Sequence, residues 1–340
     1  MMKTRFLSYA ISFCLATVSQ GAAQVIPGPQ GPVEFIGLER WTASDLFEAI
    51  QATAPDRPFH ACAAVMELDL GFPDAAAFLF LNNFADGSRE AYTVVVGVED
   101  SSRVRYRTPG SDTLVLPETW KNLQSVAEED FNTLTSAVYA RYLADQPETA
   151  RALAEQLGAD TEILDEVWAL VDRTDGSANR RLAHEVLARD ASWSARAVAT
   201  MVLGHFPDDD ASWHGLALSL LDPTGRVNEM ATRTLEGLIR AGQANPVRWS
   251  EARSTLLALL GGTNPWAFID MLEVLVATEV EPGFGQELAR ARPELLLAHA
   301  GAEHDRTREP ALAFLRAVSG EDFGRDVEAW KAWIGGGTDD

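Results

Sequence analysis

Apolar positions recur at helical spacing through the second half of the chain, and one phrase occurs twice. Ser194-Ala-Arg-Ala-Val-Ala-Thr-Met-Val-Leu-Gly204 is echoed by Arg226-Val-Asn-Glu-Met-Ala-Thr-Arg-Thr-Leu-Glu-Gly-Leu-Ile-Arg240. Setting Arg196, Ala199 and Leu203 over Asn228, Ala231 and Leu235 gives an offset of about 32 residues, the span of a repeating helical hairpin. Each phrase follows another amphipathic stretch, so the pattern predicts an all-α solenoid over 150–334 whose stacked hairpins share a core. Its helices are expected at Ile163–Val171, Arg181–Leu187, Ser194–Phe206, Ser212–Leu221 and Arg226–Ile239. Four more follow at Pro246–Leu260, Pro265–Ala277, Gln286–Ala300 and Glu309–Val318, and Gly, Pro or Asp separates most neighbours.

The first half reads differently. Val33 to Trp41 alternates as a strand, and Thr42, with Asp45 three residues on, caps a helix through Leu46, Phe47 and Ile50. A second helix fits Phe59 to Leu70, with Cys62, Val65 and Met66 on one face and Gly71 as its stop. Ala75 to Phe84 and Glu90 to Val98 are β-rich runs joined by the hairpin signal Ala85-Asp86-Gly87-Ser88. The expected unit is an α+β domain, β-α-α-β-β, over 33–108. Residues 24–32, rich in proline and glycine, read as a linker. Residues 109–149 read as a helical connector through Trp120, Leu123, Phe131, Leu134 and Tyr142, and 335–340 as a disordered tail.

Two resemblances attach to these residues. Phe35-Ile36-Gly37-Leu38 as opening strand, Gly71-Phe72 after the second helix, and Tyr92-Thr-Val-Val-Val-Gly-Val-Glu99 as closing strand resemble the POTRA module, the polypeptide-transport-associated domain of outer-membrane assembly and secretion systems. That likeness implies a sheet edge able to accept a partner strand. Leu220-Leu221-Asp222-Pro223-Thr-Gly-Arg-Val227, with Ala231 and Leu235, resembles a HEAT repeat, and Asp190 with Arg196, Ala199 and Leu203 matches it less fully. In that family the aspartate caps the second helix of a hairpin and the alanine lets neighbouring helices approach. The ending, Ala317 to Trp333, is similar to the last segment of many bacterial HEAT-like proteins, where aromatic residues cover the final repeat.

The N-terminus changes the compartment. Lys3 and Arg5, an apolar run from Phe6 to Val18 and the small residues Gly21-Ala22-Ala23 follow the plan of a secretory signal peptide over 1–23, so a periplasmic or extracellular location is expected. The run is too short for a membrane span, and no transmembrane segment is expected in the mature chain. With 28 basic against 50 acidic residues the formal charge is −22, which repels nucleic acid and favours basic protein partners. Cys62 would be the lone mature thiol, leaving no intramolecular disulfide.

Candidate chemistry is sparse. His205-Phe-Pro-Asp208-Asp209-Asp210-Ala-Ser-Trp-His214 gathers imidazoles and carboxylates, yet its place between helices fits capping, and no metal or other cofactor is expected. His299 and His304 fall on different helix faces, and Cys62 lines up with core residues. Nucleophile elbows and phosphate loops are missing from the sequence, so no catalytic residue is expected. The candidate interaction residues are Trp193 and Trp213, in similar Ala-Ser-Trp contexts, and Arg196, Arg226 and Arg233 on a basic stripe. The tryptophans also fit staples over hairpin junctions, and the arginines also fit pairing with Glu185, Glu229 and Glu236. The expected function is a non-catalytic protein-binding scaffold of the cell envelope. Two alternatives stand beside it: a lyase-like HEAT enzyme or enzyme accessory using 205–214, and a stabiliser of an outer-membrane barrel protein.

Overall fold

The computed structural model describes residues 23–83, 89–144 and 146–336. The signal-peptide residues 1–22, the hairpin turn at 85–88 and the last four residues of the tail lie outside them. Four strands form one sheet in the order β1-β2-β4-β3: β1 (Gln24–Gly28), β2 (Gly31–Ile36), β3 (Asp74–Asn83) and β4 (Arg89–Val98). The stretch expected as a linker is therefore a hairpin, antiparallel from Gln24 opposite Phe35 to Gly28 opposite Gly31. Pro27 fits because β1 is an edge strand, where a missing N–H breaks no ladder, and Pro32 of β2 precedes Val33, where the register with β4 begins. Gly31 is required there: its φ is +136°, and a Cβ would stand 1.9 Å from the Ala91 carbonyl oxygen.

β2 runs parallel to β4, and the crossover carries α1 (Ala43–Thr53) and α2 (Ala63–Leu68). The predicted cap forms, with the Asp45 N–H donating to Thr42 Oγ1 at 3.2 Å and the hydroxyl donating back to Asp45 at 2.7 Å. Strand alternation then divides the sheet. Val33, Phe35, Ala75, Ala77 and Val95 meet Leu46, Ile50 and Met66 of the crossover helices. Ile36, Ala76, Val94 and Val96 face the other way and join the core of the helical region. A strand buried on both faces needs a continuous apolar run, which Val94-Val95-Val96 supplies.

The helical region opens with α3 (Glu118–Glu129), α4 (Phe131–Leu143), α5 (Pro147–Gln156) and α6 (Leu164–Val171). Next come α7 (Ser177–Arg189), α8 (Trp193–Leu203), α9 (Asp210–Ser219), α10 (Gly225–Arg240), α11 (Arg253–Gly261) and α12 (Phe268–Ala277). The chain ends in α13 (Pro282–Ala291), α14 (Pro293–Ala300), α15 (Asp305–Ser319) and α16 (Val327–Gly335). The single helix expected over Gln286–Ala300 is two, because Pro293 forces Arg292 out of the helical region (φ −143°, ψ 64°) and starts α14. Helices α7, α9, α11 and α13 pack in succession, as do α8, α10, α12 and α15. Helix α3 lies against α8 and α4 against α10, so part of the second row is covered by the chain itself. At the far end α16 packs on α13 and α14, with Trp330 buried and its Nε1 donating to the Gly324 carbonyl at 3.0 Å.

From Val104 to Leu116 the chain is a strap without helix, tied to successive helix ends. Before it, Arg103 Nε donates to the Gly261 carbonyl. The Arg105 N–H then reaches Thr263 Oγ1, and the Arg107 N–H reaches the Leu221 carbonyl. Farther on, the Asp112 N–H donates to the Arg189 carbonyl and the Leu114 N–H to Asp190. Sheet carboxylates add ties of their own. Glu34, fully buried, accepts the N–H groups of Glu303 (2.5 Å) and His304 (3.1 Å) at the start of α15, and the Tyr92 hydroxyl at 3.1 Å. Asp74 accepts the Asn264 N–H and the Tyr106 hydroxyl.

Candidate functional site

The repeated phrase positions a buried brace. Asp190 and Asp222 each turn back to the N–H two residues on, at 2.8 Å to Ser192 and 3.0 Å to Thr224, just ahead of α8 and α10. Arg196, 2% exposed, spans the two turns, with its Nη1 on the Asp190 and Ala191 carbonyls and its Nε and Nη2 on Asp222 at 2.8 and 3.0 Å. Arg107 of the strap shares that carboxylate. The guanidinium bonds and the Thr224 N–H hold Asp222 below the usual carboxylate range against the opposing effect of burial.

Two of the five candidate interaction residues are corrected by this packing. Arg196 is consumed inside the fold. Trp213 is 0% exposed, and its Nε1 donates to the Pro207 carbonyl at 2.8 Å, so it is a core residue that staples the turn before α9. Trp193 and Arg226 stay near the surface as a stacked pair, the guanidinium 4.7 Å from the indole centroid. Arg233 lies over Tyr139 at 5.0 Å and near Glu236 at 3.7 Å.

The acidic turn at 205–214 disperses its groups. Asp208 accepts from Asn245, Asp210 pairs with Arg248, and Asp209 lies 3.7 Å from Arg180 and 3.8 Å from His184. His214 Nε2 contacts the Arg248 carbonyl, whereas His205 turns toward α6. His299 and His304 also part, the first stacked on Phe268 in the core and the second on Phe80 of the sheet. Among the described residues no three His, Cys, Asp or Glu side chains come together as a metal-binding group. Cys62 is buried, and burial pushes its thiol up to about 12, which suppresses the nucleophilic thiolate.

Two open features remain. The first is β3, a ten-residue edge strand hydrogen-bonded to β4 on its inner side. At its start the outward N–H of Ala75 is taken by Glu67 and Asp74. Alternation sends the N–H groups of Ala77, Leu79 and Leu81 the same way. Beside the strand, Leu81 is 57% and Trp266 45% exposed, and Trp266 meets Phe78 edge-on at 5.0 Å. The apolar strand was legible in the sequence; Trp266 was not, because it reaches the sheet from the turn before α12.

The second feature is a cleft of about 480 Å³ between α4, α6 and α8 and the turns after α8 and α10. Tyr142 lies in a slot made by two glycines: a Cβ at Gly204 would come within 2.2 Å of its Oη, and one at Gly237 within 2.3 Å of its ring. Burial alone raises the phenol's pKa, with no hydrogen bond or neighbouring charge contributing. Burial, aided by the charge of Arg141, also lowers the pKa of His205 below the usual imidazole value against Asp175, Asp172 and the Val171 carbonyl, and so favours the neutral ring. Comparison of the chain with protein-family models, with curated proteins and with solved structures finds no match.

Proposed function

We propose that this protein is an exported, non-catalytic scaffold of the bacterial cell envelope that holds a partner protein through the free edge of β3. The observation that carries this reading is β3 itself: a ten-residue edge strand whose Ala75–Leu81 stretch is unbroken apolar sequence without proline or lysine, with Leu81 of the strand and neighbouring Trp266 exposed. Edge strands of that length and character are normally shortened, charged or covered, and one left open is a template for strand addition. The net charge of −22 favours a basic partner segment. The N-terminal domain is read as POTRA-like, and its parallel β2–β4 pair with a two-helix crossover supports that likeness. The helical region is read as a HEAT-like solenoid on the strength of its two successive helix rows and the Asp190, Arg196 and Asp222 brace. Export rests on the basic, apolar and small-residue order of 1–23.

The test places a photo-reactive phenylalanine analogue at Trp266 in the full chain within intact cells. A cross-linked partner is expected in the envelope fraction. Leu81→Pro, which deletes an outward N–H at an exposed position, is expected to abolish that adduct, while Leu81→Thr keeps it. An adduct of equal yield in both variants, or its absence in the unsubstituted background, overturns the reading.

A further inference from the structure

We propose that the cleft beside Tyr142 binds a primary alkylammonium group, its charged head among acceptors on the cleft's polar side and its carbon chain against the apolar wall. The proposal is independent of the β3 edge, which lies on the sheet.

Unpaired polar atoms gather on one side of the cleft. The Tyr142 hydroxyl stands over Gly204 with no hydrogen-bond partner among the described residues. His205 Nε2, on the next residue, likewise has no partner among them. A buried polar atom without a partner, as His205 Nε2 is, costs about 1–3 kcal/mol and calls for an explanation such as a bound molecule. Both Gly204 and Gly237 are needed to admit the tyrosine, so the hydroxyl is held at this position by backbone as well as by packing.

The chemistry of the lining selects the ligand. Asp172 is paired with Arg141 at the rim, and Asp208 accepts from Asn245 through Oδ1 at 3.0 Å. Asp175 adds a further negative charge near His205. Against the single guanidinium of Arg141, which Asp172 already pairs, the lining sets an imidazole nitrogen, a phenol oxygen and the further carboxylate of Asp208, a set richer in acceptors than in donors within a chain of charge −22, which disfavours anions. An ammonium offers three donors and a compact positive charge to such a set. Val138, Val171, Met201 and Pro207 give the apolar wall that a short methylene chain requires. The volume falls in the range of small-ligand sites. A free diamine and a lysine side chain share this chemistry.

Calorimetry on the full mature chain at physiological salt, using 1,5-diaminopentane, Nα-acetyl-lysine amide and the neutral 1,5-pentanediol, tests the assignment. Saturable binding of at least one amine and none of the diol is expected. Tighter binding of the diamine identifies a free amine as the ligand; tighter binding of the lysine derivative identifies a peptide side chain. Tyr142→Phe keeps the ring in its glycine slot, and Asp208→Asn keeps the Asn245 bond. Each is expected to weaken binding about tenfold, while the exposed Glu148→Gln leaves it unchanged. Matching melting temperatures exclude a folding defect as the cause. Absence of saturation with both amines, equal binding of the diol, or unchanged affinity in both cleft variants overturns the proposal.

Discussion

His299 and Asp270 are displaced in opposite senses by the same cause. Burial in the core lowers His299 to about 4, although its Nδ1 meets the Leu295 carbonyl at 2.8 Å. The native state therefore stays neutral while the unfolded chain takes a proton below about 6.5, so this residue's contribution falls as pH drops from 6.5 toward 4. At Asp270, burial with Glu273 and Glu236 raises the carboxyl to about 7, against the weaker pull of Arg233 and Arg240. The native state holds a proton that the unfolded chain has lost, so its contribution is full below about pH 3.9 and disappears as pH rises through 7. Asp270→Asn is expected to melt a few degrees higher than the parent at pH 8 and alike at pH 4. His299→Leu is expected to flatten the loss of stability between pH 6.5 and 4. Urea titrations across pH 4 to 8 check both signs, and parallel curves for parent and variants would contradict them.

At the scale of elements, the twin phrases at Ser194 and Arg226 were legible because α8 and α10 each show an apolar face at a shared spacing. The same spacing put Arg196 on a basic stripe, and only the packing reveals that Asp222 of the next turn draws it inward. Periodicity reports which face is buried; it does not report which polar residue crosses that face to meet a partner. Arg196→Ala, leaving Asp222 buried with Arg107 as its remaining cation, is expected to cost about 3–5 kcal/mol. Arg226→Ala, at a surface stack, is expected to cost about 0.5–1 kcal/mol. Chemical denaturation of the two variants measures the contrast, and comparable losses would mean that the brace is not structural. The β1–β2 hairpin was hidden for another reason: with a proline in each strand and another in the turn between them, its alternation is too brief to outweigh turn-forming composition. The β3 edge was visible as an apolar run, but its flanking Trp266 comes from a remote turn that no local pattern links to the sheet.

Across the whole molecule, the expected pair of domains is joined more closely than a connector implies. Ile36, Ala76, Val94 and Val96 on the sheet belong to the same apolar core as the helices, and the strap from Val104 to Leu116 runs along their ends. Residues 23–108 made alone would uncover that sheet face and leave Glu34 and Asp74 without their helical donors. The fragment is expected to aggregate or to give a poorly dispersed amide spectrum, whereas the full chain gives a cooperative melt; a monomeric, well-dispersed fragment contradicts the shared core. The cap that Glu34 places on α15 also imposes a timetable. Its carboxylate leaves the ribosome 269 residues before the Glu303 amide it will accept. An N-terminal sheet that lacks its last donors until synthesis is almost complete remains unfinished for most of that interval. On the export reading, a chain that postpones closure in this way stays threadable while a translocation channel engages its leading end.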